Sequence, residues 1–129
     1  MREIKLRAWD IEANDWAYGT LNIKRFRFDI KCDIYGQLVE GYGIDGLIKE
    51  ETMSEYTGYK DINDVEIYEG DIVETTRALN HVVGVVVMIK GCWYIQDGKD
   101  SYYRLIPRFG KAENKVIGNI YENKELLKL

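Results

Sequence analysis

The chain has one histidine, two cysteines and one proline in 129 residues, and each scarcity removes a class of chemistry. His81 stands alone, with no CxxC pair or HxxxH spacing near it, so a zinc site is excluded and a hydrolase triad has only one possible base. Cys32 and Cys92 are too far apart in sequence for a metal pair or a redox motif. They are expected as two thiols rather than a disulfide. Cys92, between Gly91 and Trp93-Tyr94, reads as a small core residue rather than a nucleophile. Long hydrophobic runs are also missing. The longest extends over residues 82–89 and contains a glycine, where a membrane span needs about 20 apolar residues. The opening MREIKLRAWD alternates charge with apolarity and lacks the apolar centre of a signal peptide, so a cytoplasmic protein without a membrane partner is expected.

What is present is a globular composition, 46% apolar and 31% charged, neither disordered nor collagen-like. The length suits one domain, 1–129, able to bury its own core without metal or disulfide. The net charge of −4 is unevenly spread. Residues 1–32 carry seven Lys/Arg against five Asp/Glu, residues 33–74 two against twelve, and residues 75–129 nine against five. Acidic and basic segments are therefore expected to face one another within the fold or across a subunit boundary.

Periodicity indicates strands. Ile4, Leu6 and Ala8 alternate with Lys5, Arg7 and Trp9, the pattern of a half-buried strand over 3–9. Asn14-Asp15 supplies the left-handed backbone of a turn. Residues 16–30 hold one or two strands, and the glycines at 36, 41, 43 and 46 indicate turns or a loop and the sole candidate boundary, with at most a short strand at 37–39. Pairing resumes near Leu47. The segment 53–73 reads as a hairpin turning at Asn63-Asp64, then a sharp corner at Glu69-Gly70-Asp71. Short strands follow at 71–76, 82–90, 92–96, 102–106 and 116–121. Gly84, inside the valine-rich strand, suggests a bulge or bend. Asn123 is expected to cap a final short helix, with Lys128 suiting its dipole.

Three words, REIKLRAWD at the start, EYTGYKDINDVEIYEGDIV over 55–73 and VIGNIYENKELL over 116–127, resemble the YopX family of proteins from bacteriophages and prophages, in the same order. The likeness is weakest over 15–53. The family's hairpin turn usually reads Asn-Gly where this chain has Asn63-Asp64, and its last word commonly has proline where Lys124 stands. The resemblance implies a phage gene expressed in a bacterial cytoplasm, and no chemistry.

The chemistry is weighed on the residues. Asp61, Asp64, Glu66, Glu69 and Asp71 crowd eleven positions, as carboxylates do around magnesium. Yet Asp61 and Asp64 lie in a turn, and Asp71 follows a glycine at a corner, where aspartate bonds its own backbone. An EF-hand is excluded, because its required glycine is Glu66 and its terminal glutamate Ile72. GYGIDG at 41–46 matches GxGxxG without opening a helix. The aromatic surplus, with Arg25, Arg27, Arg104 and Arg108, invites base stacking, although the net charge is negative and core or interface packing explains the aromatics better. No cofactor, metal or catalytic residue is expected.

The expected fold is mainly β: a small SH3-like barrel or curled antiparallel sheet, with added strands from the N-terminal region and a short C-terminal helix. The expected role is a non-enzymatic protein-interaction module acting as a homo-oligomer. A nucleic-acid-binding small barrel is the alternative, and a metal-dependent enzyme using the acidic cluster follows it. Candidate binding residues are Tyr56, Tyr59, Asp61, Tyr68, Glu69 and Asp71.

Overall fold

The computed structural model describes residues 5–11, 13–22, 27–32, 48–75, 81–99, 101–106 and 113–127. The chain divides into two compact units, Met1–Tyr56 and Thr57–Leu129. The short strand expected at 37–39, the GYGIDG loop, Arg25, Arg108 and Lys128 lie outside the described residues.

In the first unit β1 (Lys5–Asp10) is flanked by β2 (Asp15–Asn22) and β4 (Ile48–Lys60), with β3 (Arg27–Cys32) beyond β2, all antiparallel. The segment expected to hold one or two strands thus holds two. Asn14, with φ 55°, makes the reversal between β1 and β2. Leu6 and Ala8 pack with Ala17 and Met53, as alternation requires. The opposite face is not left to water, however. Arg7 is only 6% exposed, and its guanidinium stacks 4.4 Å from the Trp16 ring, which meets Trp9 edge-on. Arg7 stands on the polar face of the alternation, and an aromatic partner from β2 buries it. Where β4 breaks register against β1, the Thr52 hydroxyl accepts the Trp9 amide at 2.8 Å and donates to the Lys49 carbonyl at 2.6 Å, replacing the interrupted ladder.

In the second unit the last residues of β4 lead through a hairpin to β5 (Glu66–Tyr68). β6 (Asp71–Thr75) then opens a five-stranded antiparallel sheet with β7 (Val82–Ile89), β8 (Cys92–Asp97), β9 (Ser101–Arg104) and β10 (Asn114–Asn119), in the order β10-β6-β7-β8-β9. The Asn114 side-chain amide of β10 donates to the carbonyl of Leu105, just past β9, at 3.2 Å. The sheet therefore curls until its two ends touch, with no strand pairing between them among the described residues: a curled sheet. Its concave face buries Ile67, Val73, Val86, Ile95 and Leu105, with Tyr59, Trp93, Tyr103 and Val116 against them.

Two local expectations change. Gly84 marks no break in the register of β6 and β7. It allows close approach instead, since a Cβ there would lie 2.5 Å from the Gln96 carbonyl oxygen and 2.7 Å from Ile95 Cγ2. Cys92 is exposed, a free thiol rather than a core residue. It directly follows the Lys90-Gly91 turn, whose two positive φ values, 50° and 84°, make a tight two-residue hairpin with Ile89 opposite Cys92. The short C-terminal helix is a 3-10 turn, Lys124–Leu127. Among the described residues no helix is long and apolar enough to cross a membrane.

Candidate functional site

Asp61 directly follows β4 and is 4% exposed, an expensive place for a carboxylate unless donors surround it. One oxygen accepts the amides of Asn63 at 2.8 Å and Val65 at 2.9 Å, and the other accepts the amide of Val116 in β10 at 2.9 Å. The first two bonds shape the hairpin loop; the third fastens it to a strand 55 residues further along. The Ile62 amide adds a bond to the Asn114 carbonyl at 2.9 Å. Asp61 and Val65 close the loop backbone at 2.8 Å, the Asp64 amide returns to the Asp61 carbonyl at 3.0 Å, and Asp64 has φ 65°. Asn63 does not share that positive φ. The turn is thus a three-residue loop ending in a left-handed residue, not the two-residue type I′ form that Asn63-Asp64 suggested, because Asp61 draws the amides of 63 and 65 to itself.

The corner is built the same way. Asp71, 1% exposed, accepts the Tyr68 amide at 2.8 Å across Glu69 and Gly70. Gly70 has φ 86°, receives the Ile120 amide on its carbonyl at 2.9 Å, and faces Tyr121 so closely that a Cβ would lie 3.3 Å from Cε2 of that ring. Opposite it, Asn119 Oδ1 accepts the amides of Tyr121 and Glu122 at 3.0 and 2.9 Å, and Asn123 Oδ1 accepts the Asn119 amide at 3.2 Å. The Asn123 carbonyl takes the Leu126 amide at 2.9 Å, but its side chain turns back to β10 and does not cap the 3-10 turn as expected. Gly118 leaves room for it, since a Cβ there would lie 2.7 Å from Asn123 Oδ1.

Of the six residues singled out from sequence, Asp61 and Asp71 are therefore consumed by backbone. Tyr68, 1% exposed, is buried with its hydroxyl 3.3 Å from Glu66, and Tyr59 packs against the core. Glu69 is half-buried at the corner, and Tyr56, in the first unit, lies 5.3 Å from the Lys5 ammonium. Five of the six, Tyr59, Asp61, Tyr68, Glu69 and Asp71, fall in the second unit, and Tyr56 falls in the first. Among the described residues no three of His, Cys, Asp and Glu could hold a metal ion.

A concave feature of the second unit lies on the other side of the sheet. A groove of about 420 Å³ runs between Val83 and Val85 of β7, Gln96 and Asp97 of β8, and Leu126 and Leu127 of the 3-10 turn. Val82 and Val86 point into the core, so strand alternation turns Val83 and Val85 outward, half-buried. His81 closes one end, its Nε2 3.2 Å from Glu74 Oε1. Sequence reasoning missed this groove because it attended to the acidic word. The available signal was the valine run, apolar on both faces of β7 where one apolar face would serve the core.

Comparison with known proteins agrees with the fold. No curated protein matches the chain. The crystal structure of protein EF1440 from Enterococcus faecalis is similar over 97% of this chain and 98% of that one, at 23% sequence identity and a TM-score of 0.53, a likeness of fold. A family model described as YopX protein matches residues 5–128. Its span takes in the hairpin, the corner and the last strand whose hydrogen bonds hold one another in place, and the chain belongs to the YopX family.

Proposed function

We propose that this protein is a non-enzymatic interaction module of phage or prophage origin, working in the host cytoplasm, whose partner is protein and, in the first instance, another copy of itself. The groove carries the reading. Its lining of Val83, Val85, Leu126 and Leu127 suits an inserted apolar side chain, and Gln96 and Asp97 offer polar contacts at its edge. The charge distribution supports a second copy as the occupant, since residues 33–74 carry twelve acidic against two basic residues and residues 75–129 nine basic against five acidic. The buried carboxylates of the central word favour no catalytic alternative, because each already accepts backbone amides.

Sedimentation equilibrium across a wide concentration range tests this. Assembly beyond the 15.1 kDa monomer is expected for the wild type and its loss for Val85→Asp. A wild type that stays monomeric throughout, or a variant that assembles as tightly as wild type, overturns the reading.

A further inference from the structure

Among the described residues, the core of the second unit ends in two polar atoms without a hydrogen-bond partner, Thr75 Oγ1 and Asn114 Oδ1. Thr75 closes β6 and is fully buried; Asn114 opens β10 and is 2% exposed. The two are directly paired across the strands, so their side chains leave the same face of the sheet. Two residues along, Val73 opposes Val116 on that face, within the apolar cluster. The polar pair therefore sits at the edge of a dry core. Asn114 Nδ2 donates to the Leu105 carbonyl at 3.2 Å, which fixes the orientation of the amide and aims its oxygen away from that bond. Asn114 Oδ1 and Thr75 Oγ1 both lack a hydrogen-bond partner.

A buried amide oxygen or hydroxyl without a partner forfeits its hydration with nothing in return, and native proteins rarely leave two side by side. Direct bonding would be the cheapest remedy, and the Thr75 hydroxyl does not make it. One acceptor facing one group that both donates and accepts is the donor set of an internal water, which needs two to four polar neighbours.

We propose that a resident water molecule is bound between Thr75 and Asn114, donating to Asn114 Oδ1 and accepting from the Thr75 hydroxyl. It ties the end of β6 to the edge strand where the Asn114 amide already reaches Leu105, and so helps hold the curled sheet with its ends in contact. Its surroundings are apolar: Val82, paired with Thr75 on its other side, and Leu105 are both buried.

The test is a crystal structure of the full chain at a resolution that shows ordered water, with water-to-protein cross-relaxation measured by NMR at the Asn114 side-chain amide. A density peak within hydrogen-bond distance of both atoms and a cross-peak to that amide are expected in wild type and in Thr75→Ser, and their loss in Thr75→Val. A wild type in which the Thr75 hydroxyl bonds Asn114 Oδ1 directly, with neither peak nor cross-peak, overturns the proposal. So does a Thr75→Val protein that keeps both signals unchanged. The wild-type measurement decides the question even if Thr75→Val fails to fold.

Discussion

The hairpin-and-corner node around Asp61 and Asp71 and the groove over β7 lie in the same unit and use opposite materials. The node is polar and closed: two buried carboxylates and two asparagines accept backbone amides, Asp61 taking one from β10, and two glycines admit the side chains that pack on them. The groove is aliphatic and open, with Val83, Val85 and Leu126 left half-buried or exposed. Polar groups with all their partners inside the molecule have little left to offer a ligand, whereas apolar surface without a cover gains by meeting one. The residues that make this chain recognisable are thus those that hold it together, and the surface best suited to a partner is chemically plain.

Substitutions can break or sharpen that contrast. The largest effect is expected at Asp61. Asp61→Ala strands three amides, one of them in β10, and should cost about 3–4 kcal/mol in urea denaturation, since bonds to a charged acceptor are worth about 1.5–3 kcal/mol each and are not additive. A loss below about 1 kcal/mol would remove the node from the fold's support and reopen a functional role for this carboxylate. Gly84→Ala comes next, at about 2–3 kcal/mol, because the new methyl meets the backbone oxygen of Gln96 rather than a side chain that could swing away. Thermal melting that left this variant unchanged would mean β7 and β8 are not held as closely as described.

Gly70→Ala should cost about 1–2 kcal/mol, chiefly for the left-handed backbone, as Tyr121 is a flexible neighbour. Asp64→Gly should act in the opposite direction and stabilise by about 0.5 kcal/mol, relieving φ 65° at an exposed loop position while losing only a solvent-exposed pairing with Lys60. Destabilisation there would show that Asp64 does more than turn the chain. Leu126→Gln, at the groove, should change stability by less than about 0.5 kcal/mol yet weaken self-association in sedimentation, separating the two regions in a single variant.

Much of the node was legible in the sequence because turn chemistry is local. Aspartate before a reversal, glycine before aspartate and a strand of alternating residues carry their own backbone preferences, so the hairpin, the corner and most strand positions follow from neighbours in the chain. What residue type and periodicity did not reveal depended on partners brought within reach by the fold. Arg7 is buried because Trp16 arrives beside it, Gly84 is needed because β8 passes within contact distance, and Asn123 turns away from its own helical turn because the Asn119 amide is in reach.

The sequence by itself determined the family, the β class and the residues that turn the chain, since each rests on residue types and spacings of a few positions. Only the tertiary structure decided what the acidic word is for. Its central carboxylate bonds an amide 55 residues away, and no pattern in the chain announces that distance. The tertiary structure also decided that the outward valines of β7 meet Leu126 and Leu127 across a groove, because strand curl and the path of the last turn, rather than residue type, bring them together.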